Sequence, residues 1–157
     1  MVMALGVAAA LLLVVTEFSA VATVDVASGS CEVIQDTDPE LADRCELSGL
    51  ERNGGAFLLL AALMLVLAWG AGPGRSTPAA IALVVVGVLV LGWALLVDLP
   101  VTDDTGALGR NFEGATATAG PGLTLEIIGG ALALGAGLLA LLVPQRRGLK
   151  RVVVDDA

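Results

Sequence analysis

The chain has 157 residues, of which 57% are hydrophobic and only 15% charged, with a net charge of −8 and a mean hydropathy of +0.91. A soluble domain carries about 25% charged residues, so composition argues against a soluble globular fold and for a small helical membrane protein. There is no His, which removes His-ligated haem and zinc, His-based acid–base catalysis and imidazole pH sensing.

A helix that crosses a bilayer needs about 20 mostly apolar residues. The first such stretch covers residues 1–24. Ser19-Ala20-Val21-Ala22 looks like a signal-peptide cleavage site, but no basic residue precedes the apolar run, so a retained helix is expected. Glu17 stands inside this stretch, eight residues before Asp25. Thr16, Ser19 and Thr23 give the same helix a polar stripe. An isolated carboxylate at such depth costs a few kcal/mol, so it needs a partner, a water cavity or a proton.

Residues 25–53 form a first loop with eight acids and two Arg. It holds both cysteines, Cys31 and Cys45, which are expected to pair on an oxidising side of the membrane. Asp38-Pro39-Glu40 is a helix-start signature and predicts a short helix over 39–45. Residues 21–26 and 31–34 have β-like composition, so the first helix either continues or gives way to a strand. Glu32, Asp36, Asp38, Glu40, Asp43 and Glu46 are oxygen ligands of the kind a divalent cation takes. No EF-hand pattern organises them; a solvated acidic face is expected, and no metal site.

The second and third spans cover 54–71 and 78–97. Between them, the inner link 72–77 reads Gly-Pro-Gly-Arg-Ser-Thr and is followed by Pro78, which predicts a tight antiparallel hairpin. Trp69 and Trp93 fall at opposite ends of the pair, where interfacial anchors sit. A second outer loop covers 98–120 and is net acidic.

The fourth span covers 121–143. Gly129, Ala133 and Gly137 repeat at a spacing of four and mark a close-packing face. That face serves either a neighbouring helix of the same chain or a homo-oligomer. Glu126 lies near the start of this span, at a height comparable to Glu17; Arg52 and Arg110 are the outer-side cations able to reach these carboxylates, and either an ion pair or a hydrogen-bonded knot would tie loops to helices there. The tail 144–157 carries Arg146, Arg147, Lys150 and Arg151 against Asp155 and Asp156. Basic flanks stay on the cytoplasmic side, so the link and the tail face in and the acidic loops face out.

The expected fold is therefore an all-α integral membrane protein. It is an antiparallel four-helix transmembrane bundle in one membrane domain, with a small disulfide-linked extracytoplasmic cap that holds a short helix and leaves room for short β pieces. No P-loop, dinucleotide fingerprint, metalloprotease motif or GxSxG occurs; no catalytic residue, cofactor or nucleic-acid partner is expected. The layout of four helices, a large first outer loop with a disulfide and a smaller second one resembles the claudin and tetraspanin type of topology. The claudin loop motif has a Trp before its cysteines, whereas no Trp lies between Val24 and Gly54. Thr16-Glu17-Phe18 in the first helix resembles the small multidrug resistance antiporters, which also have four helices with a Glu in the first, but short loops and no disulfide cap. Two functions are carried forward. One is a non-catalytic accessory, scaffold or cell-surface interaction protein of the plasma membrane, using its cap to meet a protein partner. The other is a small transporter or channel with Glu17 as a proton- or cation-coupling carboxylate, set among Thr16, Ser19, Glu126, Arg52 and Arg110.

Overall fold

A computed structural model describes residues 1–25, 46–103, 105 and 114–142. Cys31, Cys45, the expected helix over 39–45, Arg110 and the basic tail lie outside these residues. The chain is mostly helical with one small sheet. In order come α1 (Val2–Glu17), β1 (Ala20–Asp25), β2 (Glu46–Ser48), α2 (Gly49–Asn53), α3 (Ala56–Ala71) and α4 (Thr77–Trp93). A π-helical turn (Ala94–Asp98) and a 3-10 turn (Leu99–Asp103) follow, then β3 (Thr116–Ala119) and α5 (Pro121–Leu142).

Among the described residues, two helical runs are long and apolar enough to cross a membrane, Thr77–Thr102 with 26 residues and Pro121–Leu142 with 22. In each, only 33% of the most apolar window is buried inside the protein. Helices α1 and α3 are equally apolar but have 16 residues each.

The first helix does not reach residue 24; of the two expected courses, it gives way to a strand. It stops at Glu17, and the next residues enter an antiparallel sheet of order β2-β1-β3. Nothing local breaks the helix: residues 18–24 contain neither Gly nor Pro. The strand wins because β1 is central. Ala22 and Thr23 pair with Leu47 and Glu46 on one side and with Ala119 and Thr118 on the other. Two ladders satisfy the backbone on both edges, and Val21 and Val24 suit a buried pleat. The hydroxyls of Thr23 and Thr118 add a cross-strand hydrogen bond of 2.9 Å.

Helix α5 packs along α1 and α4, and α3 packs against both α1 and α4. The interior where they meet is built of small residues (Ala9, Ala10, Ala61, Ala68, Ala80, Ala133 and Ala136) around Leu13, Phe57, Met64 and Leu83. Large side chains such as Leu59, Val66, Ile81, Leu89 and Leu96 point outward. Small inside and large outside is the packing that lets helices approach closely in lipid. The stripe on α5 is buried within the chain and shared between two neighbours. Gly129 lies against Ala9 and Leu13 of α1, and Gly137 lies against Ala80 and Val84 of α4, with Ala133 fully buried between them. At Gly87 the contact is backbone to backbone: a Cβ there would stand 2.5 Å from the Leu134 nitrogen.

The hairpin joining α3 to α4 closes with backbone bonds from Gly74 to Trp69 and from Ser76 to Gly70. Ser76 then caps α4, accepting from the Ala79 N–H, with Pro78 in the first turn. At the opposite end lie the sheet, α2 and the π turn.

Candidate functional site

Among the described residues three carboxylates are buried at the sheet end, and each reaches there for a different local reason. Glu17 is the last residue of α1. Asp98 closes the π turn that follows α4. Glu126 lies in the second turn of α5, beyond Pro121. All three side chains have 0% exposure.

Glu17 caps another helix. One of its oxygens, Oε1, accepts from the Phe57 N–H at 2.9 Å. The first N–H groups of a helix have no partner within it, and a side chain at the N-cap ordinarily supplies one. The N-cap of α3 is Gly55, which has no side chain to offer. Gly54 and Gly55 both have positive φ, 60° and 85°, so the chain turns sharply between α2 and α3 in a conformation that glycine adopts freely. That turn points the bare start of α3 at Glu17. A negative charge is also better placed at the N-terminus of α3 than at the C-terminus of its own helix. The sequence left Glu17 open to an ion pair or a hydrogen-bonded knot; among the described residues its partner is a backbone amide.

Arg52 pairs instead with Asp98. Its Nε lies 3.2 Å from Asp98 Oδ1, and its NH2 group donates to the Val97 carbonyl at 3.2 Å. One guanidinium therefore serves a buried acid and a carbonyl of the last turn. Beside it, the Trp93 indole N–H donates to Asn53 Oδ1 at 3.1 Å. Arg52 and Asn53 thus tie α2 to the end of α4. Helix α2 is itself fixed at its start by a capping box between Ser48 and Glu51.

Asp98 was not singled out from the sequence, where it opened the second loop. Two signals point to it. It is a single acid within Ala94-Leu-Leu-Val-Asp-Leu-Pro-Val101, and Pro100 follows two residues later. Pro cannot donate to the carbonyl four residues back and its ring crowds that carbonyl. The helix widens to a π turn just before it, a common device for re-aiming a side chain. Likewise Ser48-Gly-Leu-Glu51 spells out the capping box of α2, and the sequence reading passed over it.

Glu126 is fully buried on α5, which meets the π turn that ends in Asp98. Among the described residues neither of its oxygens has a donor, and Glu17 Oε2 and Asp98 Oδ2 lack one too. Thr16 is buried, but its hydroxyl is spent on the Leu12 carbonyl at 2.9 Å. Ser19 bonds the Val15 carbonyl at the surface. Among the described residues, no group of three acidic or thiol side chains is placed to hold a metal ion.

Glu17→Ala is expected to cost about 1–3 kcal/mol, because it leaves the buried Phe57 N–H without an acceptor. Glu17→Gln keeps an oxygen for that N–H and should cost less. Unfolding midpoints in mixed detergent micelles compare the two, and equal losses would rule out the cap as the reason Glu17 matters.

No protein-family model matches the chain, and no curated protein or solved structure is significantly similar to it.

Proposed function

We propose that the chain is a four-pass protein of the cytoplasmic membrane, with α1, α3, α4 and α5 as an antiparallel bundle and both termini inside. On this reading it is a non-catalytic accessory or scaffold protein. The acidic cap at the sheet end, tied by a Cys31–Cys45 disulfide, faces out and meets a protein partner. Charge supports the orientation, since Arg75 lies in the hairpin and the acids concentrate in the sequence of residues 25–53 and 98–120. The layout is that of claudin-like topology. Apolar side chains facing outward on all four helices support burial in lipid.

The observation that carries the scaffold reading is the sealed state of Glu17. A coupling carboxylate has to meet water or its ion. Glu17 has no exposed surface, and its carboxylate is engaged at the start of α3. With the Arg52–Asp98 pair it makes a joint that holds the sheet to the helices. A flux assay tests this. Proteoliposomes with the wild type or Glu17→Gln should pass protons and alkali cations no faster than empty vesicles. A flux that wild type supports and Glu17→Gln abolishes would overturn the scaffold reading in favour of a transporter or channel. Native mass spectrometry in mild detergent then reads partner, oligomer or bound lipid directly.

A further inference from the structure

Helix α2 lies across the end of the bundle, from α1 to α4. At its start the backbone of Gly49 is pressed onto α1. The Gly49 N–H donates to the Ser19 carbonyl at 3.1 Å, and a Cβ at Gly49 would stand 2.6 Å from the Thr16 carbonyl oxygen. At the other end Arg52 and Asn53 hold Asp98, Val97 and Trp93. These contacts fix the height of α2: it is level with the last turn of α1 and with Trp93.

Polarity changes at this level. The four long helices carry no charged side chain apart from the buried Glu17 and Glu126. Leu11, Val15, Leu59, Val66, Val85 and Leu89 project from them to the outside. At this end, among the described residues, charge first reaches the surface at Glu51 and Arg52 of α2. The sheet joined to α2 exposes Thr116 and Thr118. Three large apolar side chains stand at the boundary and stay exposed: Phe18 just past Glu17, Leu50 next to Gly49, and Trp93. In water each of them forgoes the free energy of burial. Trp93 is also prepared to leave water. Its indole N–H is already bonded to Asn53, so the ring can enter an apolar phase without stranding a donor.

We propose that α2 is a lipid-docking element: the boundary between headgroups and acyl chains of the outward leaflet runs along it, with Phe18, Leu50 and Trp93 anchored on the acyl side. This rests on the reading of the bundle as membrane-spanning. It adds where the bilayer surface crosses the molecule and which side chains hold it there. The apolar helix faces lie on one side of that line and the sheet on the other, as amphipathic interfacial elements require.

Depth-dependent quenching of tryptophan fluorescence tests this in the full-length protein. Trp69→Phe, at an exposed position, leaves Trp93 as the single tryptophan. In phosphatidylcholine vesicles, Trp93 should lose most of its emission to bromine atoms placed on the acyl chain next to the headgroup. Bromines at the chain end, and iodide in the water, should quench it little. Quenching by iodide and by no bromine would overturn the proposal, because α2 would then stand clear of the bilayer. Strongest quenching by chain-end bromines would overturn it too, because α2 would lie at bilayer mid-depth. Trp93→Phe, which leaves Trp69, separates this from a failure of the membrane reading. Bromines that quench Trp69 but not Trp93 would sink the docking element alone; if they quench neither, the four-pass reading falls with it. Adding Phe18→Ser and Leu50→Ser to Trp69→Phe should weaken bromine quenching of Trp93 and strengthen that by iodide. Unchanged quenching would overturn the role of those two side chains as anchors.

Discussion

Arg52→Met should lower the stability of the protein by about 3 kcal/mol, the low end of the range for breaking a buried ion pair from one side. The low end applies because Arg52 is itself 32% exposed, whereas Asp98 has no exposed surface. The loss comes mainly from Asp98, whose Oδ1 would be left charged and without its guanidinium in a site that already holds Glu17 and Glu126. The Val97 carbonyl loses a donor as well. The double variant Arg52→Met with Asp98→Leu removes the stranded charge along with its partner. Apolar replacement of both members of such a pair is often neutral or stabilising, so the double variant should recover most of the stability lost in the single one. Reversible unfolding in mixed micelles measures both. Additive losses in the double variant would show that the two residues do not act as a pair.

Gly87→Ala is expected to destabilise by about 1–3 kcal/mol, the usual cost of overpacking. Helix propensity alone predicts the opposite, since Ala is better than Gly by about 1 kcal/mol in a helix interior. Sterics decides. The new Cβ would lie 2.5 Å from the Leu134 nitrogen, 2.9 Å from its Cα and 3.0 Å from the Gly130 carbonyl oxygen. All three are backbone atoms, so no side chain can swing away and the helices must part. Gly92 provides the control on the same helix. A Cβ there meets nothing within 4 Å, so Gly92→Ala should be neutral or stabilising. If both substitutions raise the unfolding midpoint, α4 and α5 do not touch at Gly87.

The parts of the fold set by local chemistry could be read from the sequence. Gly72-Pro-Gly with Ser76 and Pro78 announces the hairpin, and the apolar runs of α3, α4 and α5 need no tertiary context to be recognised. What depended on a distant partner could not be read. Helix α1 ends at Glu17 because β1 finds two neighbours that lie far along the chain. Residues 18–24 by themselves are compatible with helix or strand. Glu17 was visible as an anomaly, but its partner is a backbone N–H exposed by the absence of a side chain at Gly55, and charge matching leads instead to an arginine. Asp98 turns inward on account of Pro100, a proline effect that shows only once the helix is known to run past Trp93.

The 16-residue lengths of α1 and α3 have a consequence for the surrounding lipid. At about 1.5 Å per residue each rises about 24 Å, against about 30 Å for a typical hydrocarbon core. These two helices are neighbours, and so are α5 and the 26-residue run Thr77–Thr102 that begins with α4. In the four-pass arrangement the protein would therefore present a short flank and a tall one to the same bilayer. Lipid beside the short flank has to thin, or the whole molecule has to lean, to bring the polar end of α1 to the headgroups. In that arrangement the chain would act as a wedge of membrane thickness, thinnest on the side where Glu17 and the start of α3 meet.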